Sequence, residues 1–132
     1  MDPNNPCIFC HLDRPVLLEN DFARAFYDAW PVSPGHALVT PKRHARTIFD
    51  LEPDEYAACF ALARAVRELL VAERAPDGFN LGVNCEPAGG QSVWHAHIHV
   101  IPRYRGDNPE PLGGVRNVIP RRGHPGEPPA AP

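Results

Sequence analysis

Residues 95–100 read His95-Ala96-His97-Ile98-His99-Val100, with a histidine at every second position. The side chains of a β-strand alternate between its two faces. The pattern therefore predicts a strand with three imidazoles on one face and the intervening apolar residues on the other. We predict that this strand runs from Ser92 to Arg103. A long strand with one apolar face indicates a sheet that packs on a second layer, and the other elements are placed around it.

Five further segments complete the predicted fold. Three short strands at 16–19, 22–27 and 36–40 precede a helix, and a fourth strand follows it at 79–84. The helix begins at Pro53 and ends before Asp77-Gly78, and its apolar face is predicted to contain Tyr56, Phe60, Ala63, Val66 and Leu70. The order β-β-β-α-β-β predicts an α+β domain, a five-stranded antiparallel sheet with one long helix. Its two edge strands favour a dimer of two protomers.

Composition limits the function classes. The chain has 132 residues, enough for one domain, which we place at 1–120; the Pro-rich segment 121–132 is predicted to be a disordered tail. A net charge of −3 gives no bulk attraction to nucleic acid or an acidic membrane. No run approaches the ~20 apolar residues of a membrane span. The amino terminus lacks the basic and apolar regions of a secretory signal, so we expect a cytoplasmic protein.

Three functions are compatible with the histidine strand taken alone. Successive histidines stand about 6–7 Å apart along a strand, which argues against three equal ligands of one metal ion. Two of them could still converge on a metal, as in a metal hydrolase or a cupin-like site. The other possibilities are metal-free catalysis by imidazole and a purely structural polar face.

The segment before the histidines favours a phosphate ligand. It reads Gly89-Gly90-Gln91-Ser92. Glycines allow the backbone to approach a ligand closely, and backbone N–H groups with amide and hydroxyl side chains are neutral donors to phosphate oxygens. Next to the histidine strand, this loop indicates chemistry at a phosphate.

At this point the sequence resembles the histidine triad (HIT) superfamily of nucleotide hydrolases and transferases. The resemblance rests on Asn84, on residues 90–103 (GQSVWHAHIHVIPR), on 25–28 (AFYD) and on 34–44 (PGHALVTPKRH). Residues 113–120 resemble the tail of stand-alone bacterial members, and the chain is most similar to the Hint branch. The likeness covers nearly the whole chain up to Pro120.

The resemblance implies an enzyme that cleaves a purine nucleotide at its α-phosphate, with adenosine phosphoramidates or dinucleoside polyphosphates as substrates. His97 would form a covalent nucleotidyl-histidine, and His99 would hydrogen-bond the leaving group. His36 would support the triad from behind. The phosphate would be held by Asn84, Gln91 and Ser92. The nucleoside would be held by Asp28 at the ribose and by Phe9, Leu12 and Phe26 at the base.

The amino terminus carries a second motif, Cys7-x-x-Cys10. Alone it is either a redox pair or half of a zinc site. The resemblance implies a structural Zn²⁺ bound by this pair together with His44 and His95, a Cys₂His₂ set with no open position. The first histidine of the strand would then hold metal while the other two do chemistry.

Two alternatives remain open beside the covalent mechanism. One is a metal-dependent hydrolase with its metal at the histidine triad. The other is a nucleotide-binding module with little turnover, although a complete set of histidines and phosphate donors weighs against it. One departure from the family pattern is Glu86, where relatives commonly carry glycine; its carboxylate is expected either to point outward or to alter the preferred leaving group.

Overall fold

The structure, a computed structural model, describes residues 6–119. Its regular elements are β1 (Leu18–Glu19), β2 (Ala23–Tyr27), β3 (Ala37–Pro41), α1 (Pro53–Arg74), β4 (Gly78–Gly82) and β5 (Ile98–Arg103). Short 3₁₀ turns lie at Ile48–Asp50, Pro87–Gly89 and Gly114–Val118. The tail predicted at 121–132 lies outside the described residues. Within the described part of the chain, no helix has the length and apolar character needed to cross a membrane.

The sheet confirms the predicted α+β architecture. Its five strands are antiparallel in the order β1-β2-β3-β5-β4. The turn between β1 and β2 forms at the predicted Asn20, whose Oδ1 accepts from the N–H groups of Phe22 at 3.1 Å and Ala23 at 2.9 Å. An asparagine that bonds its own chain two and three residues on is a common way to stabilise such a turn.

The loop from β2 to β3 closes tightly, as its Pro and Gly residues predict. The Asp28 N–H donates to the His36 carbonyl oxygen at 3.0 Å, so the two residues face each other across the base of the loop. Gly35 has φ +89°, and a Cβ there would lie 2.7 Å from Cδ of Arg74. Glycine is therefore needed both for the backbone angle and for the space.

Helix α1 begins where the sequence indicates. Pro53 occupies its first turn, and the Glu55 carboxylate accepts from the Glu52 N–H at 2.9 Å. Arg43, in the segment leading from β3, donates to both oxygens of Glu55 at 2.8 and 2.9 Å. These bonds lower the pKa of Glu55 below its ordinary value, Arg43 being the main cause. The helix ends at Ala75, which has φ +46°.

The hydrophobic core lies between α1 and one face of the sheet. Small sheet residues such as Ala23, Ala25 and Ala37 let the helix approach closely. The buried residues of α1 are Glu55, Cys59, Leu62, Ala63, Val66 and Leu70. The prediction that Tyr56 and Phe60 belong to this face is wrong. They are 39% and 38% exposed and stack on each other outside the core, because the buried stripe follows Cys59 and Leu62.

The histidine strand is shorter than predicted. β5 starts at Ile98 rather than at Ser92, and β4 ends at Gly82 rather than at Asn84. The Ala96 N–H instead donates to the carbonyl oxygen of Ala45, in the segment that follows β3, at 2.8 Å. The chain bends at 93–95, and the Ala96 N–H is bonded to a loop and not to a neighbouring strand.

Candidate active site

The predicted catalytic side chains lie on the face of the sheet that α1 leaves uncovered. Strand pairing places Phe26 of β2 beside Leu38 of β3, and Leu38 beside His99 of β5. His97 comes just before β5, and its ring centroid lies 5.1 Å from that of His99. The two histidines therefore sit together above an apolar floor.

The hydrogen on the His97 ring can be located from its partner. Nδ1 of His97 lies 2.8 Å from the carbonyl oxygen of His95. A carbonyl oxygen only accepts, so Nδ1 carries the hydrogen and Nε2 carries the lone pair of the neutral ring. The side chain is almost buried, and its ring packs edge-on against Phe9 at 5.3 Å between centroids. The ring is thus held in one orientation, with the lone pair of the neutral imidazole on Nε2.

His36 and His99 form a second ordered pair. The Val32 N–H donates to Nδ1 of His36 at 3.1 Å, so the hydrogen of a neutral His36 is on Nε2. That Nε2–H donates to Nδ1 of His99 at 2.9 Å. His99 is left with its own hydrogen on Nε2, the atom opposite His36. The predicted support of the triad by His36 has this geometric form.

Burial keeps both rings neutral near pH 7. Desolvation, together with the neighbouring His97 and His36, lowers the pKa of His99 to about 4, although the carboxylate of Asp28 acts in the opposite direction. Desolvation also lowers the pKa of His36, while the carboxylate of Asp28 acts in the opposite direction. Neutral His99 can donate a hydrogen bond through Nε2 but is not a cationic acid.

The four predicted metal ligands meet at one point. The potential ligand atoms of Cys7, Cys10, His44 and His95 all lie within 4.8 Å of one another. Nδ1 of His95 is 3.4 and 3.5 Å from the two Sγ atoms and 3.2 Å from Nδ1 of His44. A tetrahedral zinc ion separates its ligand atoms by about 3.3 Å for two nitrogens, about 3.6 Å for sulfur and nitrogen, and about 3.8 Å for two sulfurs. The cluster thus has the size and donor set of a Cys₂His₂ zinc site.

The ring of His95 is oriented as a ligand of such an ion. Its Nε2–H donates to the Pro41 carbonyl oxygen at 2.8 Å, so the lone pair is on Nδ1 and faces the cysteines. Burial of the side chain lowers the pKa of His95 to about 4 and keeps that lone pair available. A carbonyl that orients a histidine in this way is a common feature of metal sites.

One pocket unites most of the predicted nucleotide contacts. It has a volume of about 280 Å³ and is lined by Asp28, Asn84, Ser92, His97 and His99 together with Phe9. The residues predicted to bind ribose and phosphate and the two imidazoles predicted to be catalytic therefore share a single cavity. A pocket of this kind, with a few polar groups converging on an apolar wall, is typical of small-ligand sites.

The base end of the pocket differs from the prediction. Phe26 has no exposed surface and lies under Phe9, with ring centroids 5.3 Å apart, so it cannot contact a ligand in this structure. Leu12 packs against the same buried cluster and is not a pocket residue. Sequence reasoning missed other lining residues, among them Ile8, Arg14, Trp30 and Leu38. Ile8 adjoins the predicted Phe9, but Arg14 and Trp30 lie in segments without regular secondary structure and carried no periodic signal.

Gln91 has a different role from the predicted one. Its Nε2 donates to the carbonyl oxygens of Arg46 at 2.6 Å and Val93 at 3.0 Å, and its Oε1 accepts from the Glu86 N–H at 2.9 Å. Both amide hydrogens are thus used by the backbone, and the side chain is 5% exposed. This arrangement argues against direct phosphate binding by Gln91. The side chain instead ties residues 86–93 to the segment after β3.

The unexpected Glu86 points away from the pocket. Its carboxylate forms two bonds of 2.9 Å with Arg46, whose guanidinium in turn stacks on Trp94 at 4.3 Å. Hydrogen bonding to Arg46 lowers the pKa of Glu86. The backbone of Glu86 has φ +68°, a region that favours glycine. The glycine that the resemblance leads one to expect at this position would adopt this angle without strain.

Comparison with known proteins agrees with this geometry. The family model described as the HIT domain matches residues 11–106. The adenylylsulfatase HINT3 of Arabidopsis thaliana is 36% identical over 108 residues, which span 78% of this chain and 55% of that protein.

Two solved structures resemble the fold closely. A HIT family protein from Bacillus anthracis superposes with a TM-score of 0.74 at 36% identity, covering 78% of this chain and 77% of that one. A Zn-bound histidine triad family protein from Mycobacterium smegmatis superposes with a TM-score of 0.72 at 31% identity, covering 78% of each chain. Their sequence identity and length of overlap place the likeness well beyond the fold alone.

Proposed function

Since the chain belongs to the HIT family, we propose that it cleaves purine nucleotides at the α-phosphate through a covalent nucleotidyl-histidine on His97. The observation that carries this proposal is the bond from His97 Nδ1–H to the His95 carbonyl oxygen, which puts the lone pair on Nε2. His97 shares its pocket with His99, Asp28 and Ser92. A nucleophile, a leaving-group donor and contacts for ribose and phosphate thus converge there.

The chemistry follows from the positions of the ring hydrogens. The Nε2 lone pair of His97 forms a bond to the α-phosphorus, and the bond from phosphorus to the leaving atom breaks with its electron pair on that atom. The Nε2–H of His99 donates to the leaving atom as its charge builds. The ring of His97 becomes cationic in the adduct, and its Nδ1–H remains bonded to the His95 carbonyl oxygen. Water then attacks phosphorus, and the bond from phosphorus to Nε2 breaks with its electron pair on Nε2. Over the whole reaction, one proton of the water passes to the leaving group.

The polar residues of the pocket would bind the phosphate and the ribose of the substrate. Asn84 and Ser92 line the same pocket as His97 and would donate hydrogen bonds to phosphate oxygens. Asp28 would accept from ribose hydroxyls. Adenosine phosphoramidates and dinucleoside polyphosphates both present an α-phosphate to such a site, and the relative named adenylylsulfatase supports an adenylyl group as the transferred part. Transfer to an acceptor other than water uses the same intermediate.

A metal hydrolase with its ion at the triad is less well supported. Asp28, His36 and His99 do lie close enough together to share an ion. Nδ1 of His36, however, accepts from the Val32 N–H, which leaves the hydrogen of the neutral ring on Nε2, the atom that faces His99. A metal ligand needs a lone pair at that atom. The hydrogen-bonding pattern therefore favours imidazole chemistry without a metal at the triad.

The catalytic proposal is tested with a substrate panel and a trapping experiment. Wild-type protein incubated with an adenosine phosphoramidate or a dinucleoside polyphosphate should give AMP and, after rapid quenching, a nucleotidyl-protein with the label on His97. His97→Ala should show neither turnover nor adduct. The exposed His11 provides a matched His→Ala control that should keep both. Full activity in His97→Ala would rule out the mechanism.

We further propose that Cys7, Cys10, His44 and His95 bind a structural Zn²⁺. The metal would fasten the amino-terminal segment to the loop after β3 and to the start of the histidine run. Because all four positions of a tetrahedral ion are then filled by protein, the ion would stabilise the fold and bind no substrate. The Zn-bound relative from Mycobacterium smegmatis supports this assignment.

The zinc proposal predicts a separation between metal content and triad chemistry. Cys10→Ser should lose zinc, measured by metal analysis of the purified protein, and should unfold at a lower denaturant concentration. His97→Ala should retain one zinc per chain. Loss of zinc from His97→Ala, with retention in Cys10→Ser, would place the metal at the triad instead.

Two wider expectations belong to the same proposal. β1 and β4 are the edge strands of the sheet, and we propose that two protomers associate into a homodimer that covers part of this edge surface. Light scattering coupled to size-exclusion chromatography measures the mass directly. A thiolate zinc site is suited to a reducing compartment, and we propose that the protein acts in the cytoplasm.

A further inference from the structure

The Nε2–H of His36 faces both His99 and Asp28, and it donates its hydrogen bond to His99. Nδ1 of His99 lies 2.9 Å away, and Oδ2 of Asp28 lies 3.5 Å away. His36 is almost completely buried, so water does not compete for this hydrogen. The other nitrogen of the ring is occupied by the Val32 N–H. Asp28, His36 and His99 therefore form one unit, joined by a hydrogen bond between the two imidazoles and an electrostatic contact between His36 and the Asp28 carboxylate.

Asp28 connects His36 to the nucleotide pocket. Its Oδ1 accepts from the Trp30 N–H at 2.8 Å, which fixes the carboxylate on the loop after β2. Asp28 and His99 both line the pocket, while His36 lies behind them. A carboxylate attracts the positive edge of an imidazole, namely its N–H. Asp28 and the Val32 N–H thus act on opposite ends of the His36 ring and favour the same tautomer.

We propose that Asp28, besides its contact with ribose, is a positioning residue for departure of the leaving group: through His36 it keeps the hydrogen of His99 on Nε2, facing the leaving atom. The inference rests on the proposed function, because it assigns the path by which that site orders its donor. Ribose hydroxyls that bind Asp28 then touch the same unit that activates the leaving group. Recognition of the ribose and cleavage at the α-phosphorus are then coupled by the contact of Asp28 with His36 and the hydrogen bond from His36 to His99.

The inference makes different predictions for good and poor leaving groups. A basic alkylamine departs slowly unless a donor stabilises it, whereas p-nitrophenolate departs without help. Two AMP derivatives, an alkylphosphoramidate and a p-nitrophenyl ester, share the whole nucleotide and differ in this property. The rate of formation of the nucleotidyl-protein, measured in a single turnover at saturating substrate, isolates the step at which the leaving group departs.

Asp28→Asn keeps the size of the side chain and an oxygen for the Trp30 N–H but removes the charge. We expect the single-turnover rate to fall on the order of 100-fold with the alkylphosphoramidate and less than about 5-fold with the p-nitrophenyl ester. In a His36→Asn background, Asp28→Asn should add no further difference between the substrates. Trp30→Ala is the matched control for weaker nucleotide binding, and it should change apparent affinity for both substrates equally.

A readout independent of turnover is the ¹⁵N chemical shift of the histidine rings at pH 7. Wild type should show Nε2–H tautomers for His36 and His99, and Asp28→Asn should show a mixed population at both. Equal rate losses for the two substrates, or unchanged tautomers in Asp28→Asn, would overturn the inference. Failure of wild type to form any nucleotidyl-protein would instead overturn the proposed function, and the spectra would still decide whether Asp28 controls the tautomers.

Discussion

At the residue scale, the histidines differ in the position of a single hydrogen. His95 and His99 carry it on Nε2, whereas His97 carries it on Nδ1. The partners that decide this are the Pro41 carbonyl oxygen, His36 and the His95 carbonyl oxygen. The lone pair of His95 therefore faces Cys7 and Cys10, whereas that of His97 is on Nε2. The neutral rings of His97 and His99 thus carry their hydrogens on different nitrogens, as the proposed nucleophile and donor require.

Glu86 allows a prediction at the same scale, because its backbone φ of +68° is unfavourable for any residue with a Cβ. Glu86→Ala and Glu86→Gly both remove the ion pair with Arg46, but only glycine relieves the backbone. We expect the glycine variant to be more stable than the alanine variant by about 1–2 kcal/mol, as measured by urea unfolding. Both should keep the bond from the residue 86 N–H to Gln91. Equal stabilities would show that the backbone at this position is not strained.

At the scale of elements, the boundary between the histidine run and β5 shapes the site. If the strand had begun at Ser92, the three histidines would stand on one flat face at equal spacing. The backbone instead bonds to Ala45 and turns, which directs His95 toward Cys7 and Cys10 and leaves His97 beside His99. The bend at 93–95 thus separates the Cys/His cluster from the pocket.

The helix face makes a prediction at the same scale. Leu70 is completely buried between α1 and the sheet, whereas Phe60 lies on the outer side of α1 beside Tyr56. Leu70→Ala should lower the free energy of unfolding by about 2–5 kcal/mol, since it leaves a cavity in the core. Phe60→Ala removes a larger side chain and should cost less than about 1 kcal/mol. Urea unfolding at constant zinc measures both, and a larger loss for Phe60→Ala would contradict the observed face.

At the scale of the whole molecule, the two faces of the sheet differ. One face packs on α1 through small apolar residues and supplies the core. The other face carries the pocket, and His36, His95 and His97 are all buried. Neutral buried histidines make stability depend on pH, because protonation of such a ring is easier in the unfolded chain.

The sign of this dependence follows from the lowered pKa values. The pKa of His99 falls from 6.5 to about 4 in the folded protein, and that of His36 is also lowered. Between pH 6.5 and 4 the unfolded chain binds more protons than the folded protein. The free energy of unfolding should therefore decrease as pH falls through this window, and the contribution of the neutral histidines to stability is complete above it. Each such group contributes a slope of at most about 1.4 kcal/mol per pH unit.

His99→Asn should flatten this decline by up to that slope, as measured by urea midpoints from pH 7 to pH 4.5. His11→Asn, at an exposed position, should follow the wild-type curve. Because zinc release at low pH affects all three proteins alike, the difference between curves isolates His99. Parallel curves for wild type and His99→Asn would show that the buried ring does not control acid stability.

The order of strands and helix, the antiparallel sheet, the grouping of Cys7 and Cys10 with His44 and His95, and the neighbourhood of His97 and His99 could all be predicted from the sequence. Each depends on local periodicity, turn residues or a motif that resemblance to a family makes recognisable. The helix face was harder, because exposed aromatics such as Tyr56 and Phe60 have the same spacing as core residues.

Only the tertiary structure decided how individual polar atoms are used. The side chain of Gln91 donates to the backbone carbonyl oxygens of Arg46 and Val93. Trp30 lines the pocket although it lies in an irregular loop. The hydrogens on the histidine rings depend on carbonyls and N–H groups that the fold brings from other segments, as Pro41 does for His95 across 54 residues. Sequence specifies which groups can donate and accept; a hydrogen bond needs a partner about 3 Å away, and packing alone supplies it.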